Sequence, residues 1–414
     1  MAPEQRARRR NRLIAILALG ALVLSTVVVG AVLLLNGGRD AAPVSSAPIP
    51  SAPGAGEEPA PEPATEPEAE PPIRIAAMGD MLPHDSVNEN ARRSEGGYDY
   101  GRFFTGILPL LDDADAVFCN QEVPSAGADL GISGYPTFNA PAQFAKDLRE
   151  EVGCDLINLA NNHMADKGTA GIAATREVWD GLDPLSISGA NRSAEEQSTI
   201  EYGEVRGVTT ALVSFAEYSN APVDGTSLNM MGDTALVERL IGEARERAEL
   251  VLVSAHWGTE DSHEVNEQQR AFAQRVADLG ADVVLGTGPH VLQPVEWLDR
   301  EDGGRTLVWY SLGNMLSTQL ALPQLTGVVA SFEVVPGEGD EPATVSDPAA
   351  VLTYMHYEWS AEEEAAGDLL ARRELSLTPL STADDLLRQT RFGVSSADQI
   401  EAMTEILGSD VRVE

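Results

Sequence analysis

Cysteine is nearly absent from this chain. Cys119 and Cys154 are the two cysteines in 414 residues, which fits neither a disulfide-stapled scaffold nor a thiolate zinc site. Cys119 falls late in the apolar run DAVFCN, and Cys154 falls just before the next run, CDLINL. In neighbouring parallel strands they would stand at opposite ends, beyond the reach of a disulfide, so two free, buried thiols are expected. Aromatic residues are also scarce, at 5% of the chain, so a core drawn from the 43% hydrophobic content must be mainly Ala, Val, Leu and Ile. Positive charge is the third shortage: 28 Lys and Arg face 65 Asp and Glu, for a formal net charge of -37. Phosphate backbones are bound through clustered cations, so this balance excludes nucleic acid as a partner. It also excludes bulk attraction to any polyanion. An acidic substrate would need a local cation, either a metal or a few placed basic groups.

One dense run of cations stands at the start. Arg6, Arg8, Arg9, Arg10 and Arg12 precede an uncharged run from Leu13 to Leu35, LIAILALGALVLSTVVVGAVLLL. That is long enough to span a bilayer as a helix of about 20 residues. A cleaved signal peptide would be shorter and end at a small-x-small site, and NGGRDAAP offers a poor one. The reading is an uncleaved anchor with residues 1–12 in the cytoplasm, by the excess of arginine on that side, and the remainder outside the cell. Residues 36–72 are rich in Pro, Ala, Ser and Glu; they cannot bury enough apolar surface to order themselves and read as a disordered, semi-stiff spacer.

From Ile73 short apolar runs alternate with amphipathic stretches, which is the pattern of an α/β domain. Expected strands are IRIAAM, DAVFCN, CDLINLA, LSISG, VTTALVSF, LVLVSAH, DVVLG and TLVWYS. Expected helices are FFTGILPLLDD, APAQFAKDLREEV, TAGIAATREVWDGL, DTALVERLIGEARERA and NEQQRAFAQRVADLG. Beyond Tyr310 the pattern is richer in strands (GVVASFEVV, AVLTYMHYEW, RRELSLTPL) and it closes with two short helices. The main domain is accordingly taken as 73–380, with 381–414 as a helical extension.

Sites in open α/β sheets form beyond the carboxyl ends of strands. There the sequence places Gly79-Asp80 and His84, then Asn120-Gln121-Glu122, Asn161-Asn162-His163 with Asp166, His256-Trp257-Gly258 with Glu260, Thr287-Gly288-Pro289-His290, and Gly313-Asn314. Taken singly, such pieces are most often turns, caps or polar loops. Jointly they say more, because four of the six histidines (His84, His163, His256, His290) fall at or just past strand ends, while His263 and His356 do not and receive no role. Oxygen and nitrogen donors of this kind suit Mn, Zn or Fe. One or two such ions can support an in-line displacement at phosphorus, and a nearby histidine that is not a ligand can protonate the leaving group.

These motifs, in this order over residues 73–318, resemble the CapA family of capsule (poly-γ-glutamate) biosynthesis proteins. The matching elements are Gly79-Asp80, Asn120-x-Glu122, Asn161-Asn162-His163-x-x-Asp166-x-Gly168, His256-Trp257-Gly258-x-Glu260, Pro289-His290-Val291-x-Gln293 and Ser311-Leu312-Gly313-Asn314. The resemblance implies a calcineurin-like metallophosphoesterase fold, a four-layer α/β/β/α sandwich. It implies that Asp80, Glu122, Asn162, His256 and His290 bind metal and that His163, held by Asp166, is the proton donor; His84, Asn120, Asn161, Glu260 and Asn314 are additional candidates. It further implies the capsule polymer and membrane synthase subunits as partners. Two positions depart from the pattern: Leu82 stands two residues after Asp80, where a histidine is usual, and Thr287 and Gly288 precede Pro289-His290 without a second histidine. Three functions follow for comparison. One is a metal-dependent hydrolase or transferase that acts on a phosphoester or a γ-glutamyl amide. The second is a non-catalytic accessory that tethers or guides the polymer at the synthase. The third, given least weight, is a domain that binds a small anion, with Trp257 and Trp297 as platforms.

Overall fold

The computed structural model describes residues 71–337 and 343–414. The expected cytoplasmic tail, membrane anchor and nearly all of the spacer lie outside the described residues. Among the described residues no helix is long and apolar enough to cross a membrane. Pro72–Glu414 form one compact unit.

The chain enters with β1 (Ile73–Met81), whose alternate residues Ile73, Ile75 and Ala77 are buried with their neighbours in the main core. It continues through α1 (Asp85–Ala91) to β2 (Ala116–Gln121). Next come α2 (Ala142–Asp147), a turn of π-helix at Leu148–Val152, and β3 (Leu156–Asn158). A long helix α3 (Gly168–Asp180) leads to β4 (Ser186–Ser188). β1, β2, β3 and β4 are parallel neighbours in that order, each reached by a crossover, as parallel pairing requires.

After the short α4 (Ala194–Gln197), the chain builds a second sheet. This contains β5 (Tyr202–Val205), β6 (Val208–Ala216), β7 (Leu250–His256), β8 (Val283–Thr287), β9 (Val295–Asp299) and β10 (Arg305–Trp309), in the spatial order β5-β6-β7-β8-β10-β9. Helix α5 (Thr234–Arg247) precedes β7 and α6 (Glu267–Asp278) precedes β8. The chain then returns to the first sheet with β11 (Asn314–Leu316), β12 (Thr326–Val335), β13 (Thr344–Glu358), β14 (Arg373–Pro379) and β15 (Arg412–Val413), interrupted by α7 (Ala361–Ala366), α8 (Asp384–Gln389) and α9 (Ser396–Leu407). Among the described residues the first sheet has nine strands and the second has six.

The period-2 alternation of β7 shows how the sheets are covered. Leu250 and Leu252 join the core shared with the first sheet, whereas Val251, Val253 and Ala255 face α5 and α6 in a second cluster with Val237, Leu240, Ile241, Phe272 and Val276. On the first sheet, α2 and α3 contribute Phe144, Ile172 and Trp179 to the main core. The Trp179 indole N–H donates to Gln121 Oε1 at 2.9 Å. The result is a mixed α/β sandwich.

The strands read from the sequence are all present, with two corrections elsewhere. FFTGILPLLDD forms 3-10 turns at Gly101–Phe104 and Leu108–Leu111 rather than an α-helix. Gly106 and Pro109 interrupt it, and a Cβ on Gly106 would lie 2.3 Å from the Leu377 carbonyl oxygen. The expected free thiols are instead a disulfide, Cys119–Cys154, with Cα atoms 5.7 Å apart. Cys154 precedes β3 but does not continue its line. Ile157 is the residue in register with Cys119, and three strand residues span about 10 Å. Cys154 instead belongs to the turn entering β3: Gly153 adopts φ 94°, and the Cys154 N–H donates to the Leu148 carbonyl at 2.9 Å. This turn brings the thiol over the sheet toward Cys119.

The backbone crosses between the sheets at one point with almost no room. Leu312 donates its N–H to the Gly286 carbonyl in β8 at 3.0 Å, and Asp80 in β1 donates its own to the Gly313 carbonyl at 2.9 Å. A Cβ on Gly79 would meet Gly313 O at 2.0 Å, and one on Gly286 would meet Tyr310 O at 2.1 Å. The Ser311-Leu312-Gly313-Asn314 motif is therefore a main-chain bridge as well as a source of one polar side chain.

Candidate metal centre

Register aligns the strand tips. Asp80 of β1 lies opposite Asn120 of β2 on one side and Asn314 of β11 on the other, and Asn120 lies opposite Asn158 of β3. Asn120 Nδ2 donates to Asp80 Oδ1 at 2.7 Å, and Asn158 Nδ2 donates to Asn120 Oδ1 at 2.8 Å. From the second sheet, the Gly288 N–H reaches both Asp80 oxygens at 3.2 Å, and His290 Nδ1 lies 3.0 Å from Asp80 Oδ2. Asp80 is wholly buried, as burial of a charge demands when partners converge on it.

Glu122 is the exception. It is completely buried, yet neither of its carboxylate oxygens has a hydrogen-bond partner. His256 Nε2 and His290 Nε2 each lie 3.8 Å from Glu122 Oε1, too far for a hydrogen bond. Ligand atoms of Asp80, Glu122 and His256 all lie within 4.8 Å of one another. His256, at the end of β7, is set from behind by Thr287 Oγ1 at 3.0 Å from Nδ1, and its Nε2 faces Asn162 Oδ1 at 3.0 Å. A bare buried carboxylate beside an imidazole and an amide oxygen is a donor set that fits a divalent cation by ligand type.

The charges agree with that fit. Burial opposes ionisation of Asp80, but the hydrogen bond and charge of His290 hold its carboxyl below the ordinary value. Burial, then the neighbouring Asp80 carboxylate, push Glu122 well above its usual range. Burial takes His256 down to about 3, leaving a neutral imidazole. Burial also works against a charged His290, but the Glu122 and Asp80 carboxylates outweigh it and push His290 up to about 10. Without a cation the centre thus holds one proton-borne positive charge, on His290.

The other residues singled out from the sequence take distinct places. His163 Nδ1 lies 2.8 Å from Asp166 Oδ2, which also accepts the Phe138 N–H at 2.7 Å, and the Phe138 ring meets the imidazole edge-on at 4.6 Å. This pair stands beside the centre through its chain neighbour Asn162. Asn314 Oδ1 lies 3.0 Å from His290 Nδ1, while its Nδ2 donates to Gln319 Oε1 and to the Gln324 carbonyl. Asn120 is a hydrogen-bond bridge. Asn161 turns Nδ2 to the Gln121 carbonyl, and its Oδ1 is buried without a partner. Two candidates stand apart from the cluster. His84 is half-buried against Phe138 and accepts the Thr318 N–H at Nδ1 at 3.4 Å. Glu260 is exposed and accepts the Tyr218 hydroxyl at 3.0 Å. Leu82 is buried in the core, and Thr287 and Gly288 serve as hydrogen-bond partners of His256 and Asp80.

One segment at the site was not singled out. After β6, Glu217 Oε2 accepts the Gly258 N–H at 2.7 Å, the Tyr218 hydroxyl lies 3.5 Å from Asn162 Nδ2, and Asn220 Nδ2 lies 3.3 Å from His163 Nε2. The signal was available: Glu217-Tyr218-Ser219-Asn220 follows the strand VTTALVSFA, as the other motifs follow theirs.

Fold and centre define a class, a mixed α/β sandwich whose strand tips gather carboxylate, amide and imidazole donors in a buried cluster. The family model of the bacterial capsule synthesis protein PGA_cap matches residues 74–319. The chain belongs to that family. It is similar to the PGA biosynthesis protein CapA of Bacillus subtilis (strain 168), with 33% identity over 226 residues, 52% of this chain and 57% of that protein. It is similar to the capsule biosynthesis protein CapA of Bacillus anthracis, with 31% identity over 264 residues, 60% of each chain. The matched region thus spans less than two thirds of the length of either relative. A solved structure of a hypothetical protein from Thermus thermophilus aligns at 20% identity and a TM-score of 0.39, over 68% of this chain and 99% of that one.

Proposed function

We propose that this protein serves the synthesis or export of poly-γ-glutamate at the outer face of the cell membrane, and that its strand-tip cluster is a divalent-metal centre of hydrolase type. The observation that carries the metal reading is Glu122, buried with both oxygens unpartnered between His256 and His290. Asp80, Glu122, His256 and Asn162 would hold the ion, Mn, Zn or Fe, with His290 completing the set. When bound, such an ion supplies Lewis-acid polarisation of a phosphoryl or carbonyl oxygen. Thr287 keeps His256 oriented with Nε2 toward the cluster. Asp166 holds His163 through Nδ1, and Nε2, with Asn220 Nδ2 beside it at 3.3 Å, is the nitrogen that would deliver a proton to a leaving group. The polymer reading is supported by the names of the CapA relatives and by the family membership.

The finer fold assignment, a four-layer metallophosphoesterase-like sandwich, is supported by two stacked sheets with helices packed on them and by ligands at the tips of β1, β2, β7 and β8. The proposed domain plan is a cytoplasmic tail (1–12), a membrane anchor (13–35), a spacer (36–72), the CapA-like metallophosphoesterase-fold domain (73–380) and a C-terminal, mainly helical extension (381–414) whose last strand, β15, pairs with β13. The disulfide supports an extracytoplasmic location, since disulfides persist in oxidising compartments. Membrane synthase subunits are the expected protein partners. Elemental analysis of the purified full chain beside Asp80→Asn tests the centre: bound Mn, Zn or Fe in the wild type and loss in the variant is the expected result, and a metal-free, folded wild type refutes it.

A second reading, a non-catalytic accessory that guides the polymer, draws on Leu82, Thr287 and Gly288, which occupy ligand positions without being ligands. It predicts unchanged surface polymer in cells carrying Asp80→Asn, whereas the metal-centre reading predicts its loss.

A further inference from the structure

His356 has no part in the centre. It lies on β13, two strands from β1 in the first sheet, and is 8% exposed. Its Nδ1 is buried without a hydrogen-bond partner. A buried imidazole nitrogen left bare is unfavourable unless a ligand or water satisfies it. His356 lines a cavity of about 310 Å³, together with Tyr354, Trp359, Arg391, Phe392 and Arg373. This is at the lower end of the volumes that hold small ligands, about 300–1,000 Å³.

The cavity lining is less acidic than the chain as a whole. Against 28 cations and 65 anions overall, its lining has two arginines and one carboxylate, Glu358. Glu358 is exposed and lies 3.8 Å from Arg373, whose Nη1 donates to both oxygens of Glu363 at 2.9 and 3.0 Å, so Arg391 is the cation on which recognition rests. Arg391 is held flat: its guanidinium carbon lies 5.6, 5.5 and 4.5 Å from the ring centroids of Tyr357, Trp359 and Phe392. Its Nη2 donates to the Leu320 carbonyl and to the Tyr357 hydroxyl, and its Nε lies 3.5 Å from Glu364 Oε1. Nη1 is left unused by the described residues. A fixed guanidinium with free N–H groups recognises a carboxylate, and a neutral imidazole beside it can bond an amide.

We propose that this pocket is a second binding site, for a carboxylate adjacent to a secondary amide, the unit that repeats along a γ-linked polyglutamate. The polymer identity rests on the function proposed above; the pocket chemistry does not. Arg391 takes the carboxylate, His356 bonds the amide, and Trp359 and Phe392 cover the methylene groups. The pocket shares a loop with the metal centre. Tyr357 donates its hydroxyl to the Gln319 carbonyl, and Gln319 Oε1 accepts from Asn314, which bonds His290.

The test is calorimetric titration of the full chain with γ-linked triglutamate, using wild type, Asp80→Asn, Arg391→Gln and His356→Phe, each checked for folding by its melting curve. Trp359→Ala replaces any variant that fails to fold. The expected result is saturable binding in wild type and Asp80→Asn, weakened at least about tenfold in Arg391→Gln, as loss of one charge-assisted hydrogen bond predicts, and weakened in His356→Phe. Absence of binding, or binding that Arg391→Gln leaves unchanged, overturns the proposal. The polymer reading is judged separately, by surface polyglutamate in cells lacking the chain: polymer lost there while triglutamate fails to bind removes the second site alone.

Discussion

Asn162 Oδ1 lies 3.0 Å from His256 Nε2, although 94 residues separate the two; Asn162 stands in the loop after β3 of the first sheet and His256 ends β7 of the second. In the absence of a cation one of them must donate to the other, so the imidazole carries its proton on Nε2. Binding of a cation between them requires that proton to leave, because both atoms must then present lone pairs. This pair joins the two sheets at the point where the chemistry is proposed.

Proton release follows. His290, pushed up to about 10 by the neighbouring carboxylates, is charged at neutral pH without metal, and burial raises Glu122 well above its usual range, toward its protonated form. A cation that takes these donors displaces their protons. Titration of the metal-stripped protein with Zn or Mn at pH 7, in buffers of different ionisation enthalpy, is expected to show net proton release and an affinity that rises with pH. Identical apparent heats in all buffers would contradict it.

The same histidine gives the metal-stripped protein a pH-dependent stability. Its folded-state pKa, about 10, lies above the ordinary 6.5. Its contribution is therefore fully present below pH 6.5 and is lost as pH rises through 10. Melting temperatures of the stripped protein should fall between pH 7 and 10, and His290→Gln should flatten that fall.

Thr287→Val removes the hydroxyl that fixes His256 Nδ1 without touching a proposed ligand. Metal affinity should drop by about 10–100-fold, the usual cost of losing an outer partner of a ligand histidine, while stability should change by only about 1 kcal/mol. Competition with a chromogenic chelator measures the first and urea unfolding the second.

Gly79→Ala should be severe. The new methyl would lie 2.0 Å from the Gly313 carbonyl oxygen, which is main chain and cannot swing away. A loss of about 3 kcal/mol or more is expected, the upper end for overpacking, read as a lower urea midpoint; Gly303→Ala, where nothing lies within 4 Å but φ is +88°, should cost less, about 1 kcal/mol.

Removing the Cys119–Cys154 bridge, which spans 35 residues of sequence, should destabilise by about 2–4 kcal/mol. Cys119→Ser/Cys154→Ser, compared with the wild type with and without reductant, checks this; equal stability in all three would show that the bridge does not constrain the unfolded chain.

Much of this molecule could be read from its sequence, because the strands are apolar runs ending in polar motifs, and both features are local. Asp80, Glu122, Asn162, His256 and His290 each follow such a run, so their strand-tip placement was legible. Spacing could not convey the pairing of Asn162 with His256 across the sheets, nor the bare state of Glu122, since both depend on how two sheets stack. Cys154 misled because a turn beginning at Gly153 carries it off the strand line. Tyr218 and Asn220 were passed over because a tyrosine and an asparagine look like ordinary loop residues until Asn162 and His163 are seen beside them.

The bridge formed by Leu312 and Gly313 has a dynamic consequence. Donor positions in the cluster are tied to peptide groups of both sheets, at Gly286 and at Asp80, and not merely to side-chain packing that can breathe. The amides of Asp80 and Leu312 should therefore be among the slowest in the protein to exchange with deuterated solvent, opening only when the whole unit unfolds. Fluctuations at the periphery would leave the spacing of the donors untouched.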